Sequence, residues 1–290
     1  MKYIGVTFIL TAAVLWGMTG GVADILMDKG WSPGVISFYR GAVGLVCVFI
    51  WFIIKPRQHM PRTYSLVLWA ALAGVGVAGN FTLYFLSIES SSIAVAATLM
   101  YTAPVFVMLA SFFLGIERSS WLKWGCIVSV LIGIVLLTGA YSSSGASVNL
   151  TGALTGLGSG LSYALFIFAF KKAAAEGSAP TTLTISFIVF SILLFFYMDI
   201  QEAASVLTSE DLPLFIVLGL IGAGISFVLY VFGIKRTAPT TASIVAMVEP
   251  VTASIFGVLI LSDSLSLIQG AGMVIILVTI TLLSFKQAQD

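Results

Sequence analysis

The sequence predicts an all-α integral membrane protein of ten transmembrane helices, arranged as two inverted five-helix repeats, and three observations carry that prediction. Only 9% of the 290 residues are charged and 59% are hydrophobic, against roughly 25% charged in a soluble domain. The chain divides into ten apolar runs separated by short polar breaks. Landmarks of the first half recur in the second at a constant spacing of 146 residues.

A run of ~20 apolar residues is needed to cross the ~30 Å hydrocarbon layer as a helix. Such runs are expected near residues 4–26, 34–54, 65–87, 92–115, 121–140, 150–170, 181–198, 213–234, 240–261 and 267–285. Turn chemistry marks the breaks: Asp28-Lys29-Gly30-Trp31-Ser32-Pro33, Lys55-Pro56-Arg57, Ser142-Ser143-Ser144-Gly145 and Ala179-Pro180. The first run follows Lys2, and Gly21-Val22-Ala23 imitates a signal-peptide cleavage site. Nine further spans of the same kind, and a repeat that needs this helix, make it a membrane span instead.

Charge sets the orientation. Eleven of the 13 basic residues, from Lys2 and Lys55 to Arg236 and Lys286, fall on one side, whereas Lys29 lies on the other and Arg40 within a span. Positive loops stay inside, so a cell-membrane protein with both termini cytoplasmic is expected. The opposite side collects Asp28, Glu89, Asp199, Glu202, Glu210, Asp211 and Asp263.

Composition also excludes. A net charge of +1 offers no basic field for nucleic acid. Cys47 and Cys126 sit in apolar runs and give no disulfide framework. His59 is the single histidine, so a histidine-based zinc or haem site has nothing to build on; no metal and no cofactor is expected. The expected partners are membrane lipid and a small-molecule substrate.

The repeat is read from Ala103-Pro104-Val105 and Glu249-Pro250-Val251. The same ungapped register pairs Gly76 with Gly222, Phe81 with Phe227, Tyr84 with Tyr230 and Glu117 with Asp263. The expected units are residues 1–144 and 145–290. Five spans in each unit force the second to enter the membrane upside down, an architecture recurrent in secondary transporters with a midplane site between the halves.

Leu15-Trp16-Gly17, Arg40, the stretch from Tyr101-Thr102-Ala103-Pro104-Val105 to Gly115-Ile116-Glu117, and its repetition from Val248-Glu249-Pro250-Val251 to Ser262-Asp263 resemble the drug/metabolite transporter superfamily in its ten-helix EamA-type branch. The resemblance covers essentially the whole chain. Two departures stand out: Asp263 replaces the usual glutamate, and Ala103 stands where the second half has Glu249. The resemblance implies a secondary transporter working by alternating access, often an exporter of amino acids or related metabolites. It also implies a central cavity lined by spans one to four and six to nine, with five and ten peripheral.

Glu249 lies about 13 Å into its span, where an ionised carboxylate costs on the order of 2.5–3.5 kcal/mol. It should therefore face a cavity or a partner, as proton carrier or as ligand for a substrate ammonium; a protonated glutamate bonded to a neighbouring helix is the alternative. Arg40 lies about 9 Å below the outer surface. It could hold a substrate carboxylate through its planar fork, and a structural ion pair with Asp24 is the favoured expectation.

Asn80 and Tyr84 share a helix face and map onto Ser226 and Tyr230, which would line the cavity from both halves unless they serve interhelical hydrogen bonds. Trp16, Tyr101, Ser162 and Tyr163 are candidate cavity walls. Trp31, Trp51, Trp69 and Trp121 read as an interfacial belt. Gly74-Val75-Gly76-Val77-Ala78-Gly79 has the letters of a dinucleotide fingerprint without the βαβ context, so close helix packing is expected there. Gly152, Gly156 and Gly160 should also pack closely, and could offer a homodimer face. Glu117 and Asp263 read as carboxylates at the starts of helices five and ten.

No Walker A sequence is present, so direct drive by ATP is not expected. The competing readings are a non-transporting membrane enzyme and a channel or receptor. The intramembrane proteases among such enzymes need a Ser–His or paired-Asp site, and a channel needs a ring of like groups.

Overall fold

The computed structural model describes residues 4–142, 150–262 and 264–287. Lys2, the turn at Ser143-Ser144-Gly145 and Asp263 lie outside the described residues. All regular structure among the described residues is helical. Ten helices match the ten expected runs: α1 Ile4–Asp28, α2 Pro33–Ile54, α3 Tyr64–Ser90, α4 Ile93–Phe113, α5 Trp121–Thr138, α6 Leu150–Glu176, α7 Ala179–Phe195, α8 Leu212–Ile234, α9 Pro239–Ile260 and α10 Leu267–Gln287. Nine are long and apolar enough to cross a membrane, whereas α7 has 17 residues, about 25 Å of helix. Two short helices that the hydropathy pattern did not announce, Pro56–His59 and Ile200–Val206, occupy loops.

Local chemistry starts these helices where they start. Ser32, Thr63, Ser92, Ser120 and Ser178 each turn a hydroxyl onto the backbone N–H three residues on, taking up a donor that has no partner inside the helix. Proline occupies the first turn of α2, α7, α8 and α9, where its missing N–H costs nothing. Gly139 ends α5 in the left-handed region at φ 71°.

Both repeats break one helix at the same place. Helix α4 leaves helical geometry at Tyr101 (φ −75°, ψ 7°) and α9 at Met247 (φ −69°, ψ 3°), positions related by the repeat spacing. The cause lies three residues further on: Pro104 and Pro250 lack the N–H that would bond the carbonyl four residues back, and their rings crowd it. In α8 the residues Leu220–Ile225 form a π-turn, whereas the corresponding residues 74–79 of α3 stay α-helical.

Glycines set the crossings. Gly76 of α3 lies against Phe166 and Ser162 of α6, and Gly74 against Ser186 of α7. Gly152, Gly156 and Gly160 are buried against Ser90, Leu99 and Met100, so this row packs inside the chain and is not free as a dimer face. Gly17 of α1 meets the Glu249 backbone, and Gly21 meets the Phe256 ring. Helices α5 and α10 pack on each other through Gly133 and Gly272, at the periphery.

Even crossing numbers place both chain ends on one face, here the terminal face. At the opposite face the α1–α2 loop docks onto the α7–α8 loop. Lys29 and the Trp31 indole both reach Asp211, the backbone N–H of Ser32 donates to Glu202, and the Tyr39 hydroxyl donates to the Ala203 carbonyl. The Lys29 and Trp31 donors hold the Asp211 carboxyl below the usual aspartate range. Trp31 thus has a specific partner, while Trp121, 93% exposed at the terminal face, fits the expected belt.

Candidate functional site

Between the two halves the helices leave a narrow cavity of about 30 Å³. Trp16 comes from α1, Arg40 from α2, Val77, Asn80 and Phe81 from α3, Tyr163 and Phe166 from α6, Phe227 from α8 and Glu249 from α9. Of the helices that the resemblance assigned to the cavity, α4 and α7 stand one layer back, with Tyr101 buried beside the site and Phe187 and Phe190 stacked behind Phe227 and Phe81.

Arg40 is held by three things. Its Nε donates to the Gly222 carbonyl at 3.2 Å, its Nη2 donates to the Thr19 hydroxyl at 3.3 Å, and its guanidinium lies 5.2 Å from the centre of the Phe81 ring. The Gly222 carbonyl is part of the π-turn, whose wider winding presents backbone polar groups unavailable in an α-helix. A side chain at Gly222 would collide with Thr19 and with Arg40 itself. Asp24, the partner expected for Arg40, lies one and a half turns beyond Thr19 on α1 and is exposed.

Glu249 stands in the first turn of the half-helix that restarts after Met247. Met247 supplies no side-chain cap there, and the free N–H groups of such an end favour negative charge. The carboxylate is half-buried and makes no hydrogen bond with a described residue. It and Arg40 line the same cavity, yet they form no ion pair. Ion pairs in direct contact, such as Lys29–Asp211 and Lys123–Glu117, lie away from the cavity. A guanidinium and a carboxyl group thus face the same small space without bonding each other.

The other walls are aromatic. Trp16 lies 5.0 Å from Phe227 and 5.1 Å from Tyr230 between ring centres, and Tyr163 lies 4.4 Å from Phe166. Trp16 and Tyr163 both line the cavity, and their Nε1 and hydroxyl are buried without a hydrogen-bond partner among the described residues.

Several expected site residues lie elsewhere. Asn80 borders the cavity, but its amide donates to the backbone and hydroxyl of Ser159, whose hydroxyl donates back to the Asn80 carbonyl. This clasp joins α3 to α6. Ser226 and Tyr230 are fully buried behind Trp16, Ser162 is half-buried next to Gly79, and Tyr84 is half-buried near Asp24. Of the Asn80–Ser226 pair only Asn80 reaches the cavity, and the repeat-related Phe81 and Phe227 line it from both halves. Thr19, Gly222 and Phe81 went unassigned by sequence reasoning. Gly222 and Phe81 stood in the repeat alignment, where they read as landmarks of packing.

Burial along α9 is uneven. Every residue of α9 from 239 to 248 is buried, whereas residues 252–256 are at least partly exposed. On the terminal face Gly5 of α1 lies against Thr237 and Gly233, and Lys171 of α6 donates to the carbonyls of Ile234 and Thr237.

Broken helices at mid-depth, paired upside-down halves and a two-sided charged cavity define a multi-pass membrane transporter. The chain belongs to the EamA-like transporter family, which matches residues 3–139 and again residues 150–285. It is 28% identical over 292 residues to an uncharacterised transporter of Archaeoglobus fulgidus, covering 96% of this chain and 94% of that one. It is 25% identical over 239 residues to the threonine/homoserine exporter RhtA of Escherichia coli K12, covering 82% of this chain and 77% of that one. One solved crystal structure superimposes with a TM-score of 0.76 at 17% identity, covering 97% of this chain and 98% of that one; at that identity it supports the fold alone. The relatives are named transporters, which sets aside the enzyme and channel readings.

Proposed function

We propose that the protein is a secondary transporter that exports amino acids or closely related zwitterions by alternating access. Arg40 takes the carboxylate, Glu249 takes the ammonium, and the aromatic walls enclose the side chain. The observation carrying this reading is the placement of Arg40 and Glu249 on one cavity without an ion pair between them. A ligand bearing both charges satisfies both groups at once; a ligand bearing one leaves the other desolvated and unpaired, which is costly. Trp16 Nε1 and the Tyr163 hydroxyl are free to bond a polar side chain. The exporter RhtA, by its name, handles hydroxylated amino acids, and this is in keeping with that chemistry. Glu249 doubles as the proton-coupling residue. The repeat boundary is placed between residues 144 and 145.

The test is counterflow of labelled threonine and its neighbours in proteoliposomes. A neutral amino acid should compete, whereas the amine lacking its carboxylate and the acid lacking its amine should compete at least about tenfold less well, the loss of one charge-assisted hydrogen bond. Equal competition by either analogue contradicts the zwitterion seat.

The protein is placed in the cell membrane with the terminal face cytoplasmic, following the basic residues. In that orientation the closed side is the cytoplasmic side, and the cavity faces outward. A reporter active only in the cytoplasm is expected to work when fused at Arg57 and to be silent at Ser143; the reverse pattern inverts the assignment.

A further inference from the structure

The two broken helices start differently. Helix α4 caps itself: the Ser92 hydroxyl accepts the Val95 N–H at 3.3 Å. The position equivalent to Ser92 in the second repeat is Ala238, which has no side-chain acceptor, and α9 has no cap of its own. The missing acceptor comes from the other repeat. Glu117, in the loop after α4, accepts the Thr240 N–H at 2.9 Å through Oε1. Its second oxygen takes the Lys123 ammonium at 2.5 Å, and Ser111 donates to the first at 3.3 Å. Glu117 therefore sits at the positive end of a helix, but that helix is α9 rather than α5, whose start Ser120 already caps.

We propose that Glu117 is a helix cap acting in trans, a latch that holds the terminal-face gate shut and biases the transporter toward the state whose cavity opens on the opposite face. The inference rests on the alternating-access reading and deepens it. When the gate parts, α9 must leave α4 and loses its only cap; parting α4 from its neighbours at the opposite face leaves the Ser92 cap intact. Burial disfavours the Glu117 charge, yet Lys123 and the Thr240 N–H outweigh it and keep the carboxyl below the usual glutamate range. The latch is therefore charged at neutral pH. It also stands clear of the cavity, so it can govern the gate without touching cargo.

Spin labels at Arg118→Cys and Lys235→Cys, in a Cys47- and Cys126-free protein in lipid nanodiscs, report the width of the gate. In otherwise unaltered protein a short distance should dominate. Glu117→Ala should raise the long-distance population about five- to tenfold, the weight of a lost N-cap. Adding Ala238→Ser gives α9 a cap in cis; it should restore thermal stability while leaving the gate open. That double variant also serves if Glu117→Ala alone folds poorly. Unchanged distances in Glu117→Ala, or closure restored by Ala238→Ser, would overturn the latch. A gate that stays short in every variant, with and without substrate, would overturn alternating access and the latch together.

Discussion

Replacing Glu249 by glutamine should abolish accumulation driven by a pH gradient while leaving substrate exchange between compartments of equal pH largely intact. The amide keeps the size of the side chain and can still accept a hydrogen bond from a substrate ammonium. A neutral acceptor is weaker than a charged one by about 1 kcal/mol, so exchange should slow by no more than about tenfold. The amide cannot carry a proton, so coupling is lost outright. The motivating observation is that Glu249 has no protein hydrogen-bond partner among the described residues and stands at a half-helix start facing Arg40. Its protonation is thus left to be decided by what occupies the cavity. Gradient-driven accumulation matching the unaltered protein would end the coupling role and leave Glu249 as a binding or structural group beside Pro250.

Arg40→Gln should weaken binding of a zwitterionic substrate by at least about 30-fold, since truncating one member of a buried charge interaction costs 2 kcal/mol or more. The direction of selectivity is more telling than the magnitude. With the guanidinium gone, the amine lacking a carboxylate should compete as well as the amino acid. Arg40→Lys keeps the charge but loses the fork that bonds Thr19 and Gly222 together, and should fall in between. If Arg40→Gln binds both ligands as the unaltered protein does, the arginine is structural and the carboxylate seat is elsewhere.

Spans and repeat were legible because each has a one-dimensional signature. Apolar runs have a length, and the two prolines share a constant spacing; that both also break their helices shows only in the structure. The cavity was legible in part. Glu249 and Arg40 announced themselves by their cost in the membrane, but their partners did not. Thr19 holds Arg40 because α1 and α2 happen to converge there, and the Gly222 carbonyl is presented by a π-turn for which hydropathy carries no signal. Asn80 both borders the cavity and bonds Ser159 of α6, and a polar side chain on a helix face carries no sign of which partner it takes. Helix facing depends on crossing geometry, and that is set by glycines whose neighbours lie a hundred residues away.

The repeat counterpart of Arg40 is Ser186, whose hydroxyl donates to the Ala70 and Thr182 carbonyls, and the counterpart of Glu249 is Ala103, which is fully buried. The duplicated scaffold repeats its bends at Tyr101 and Met247, while these two charged side chains exist in one copy only. If Arg40 and Glu249 hold the cargo as proposed, it would rest on the same two side chains throughout the cycle, and what travels past it would be the barrier.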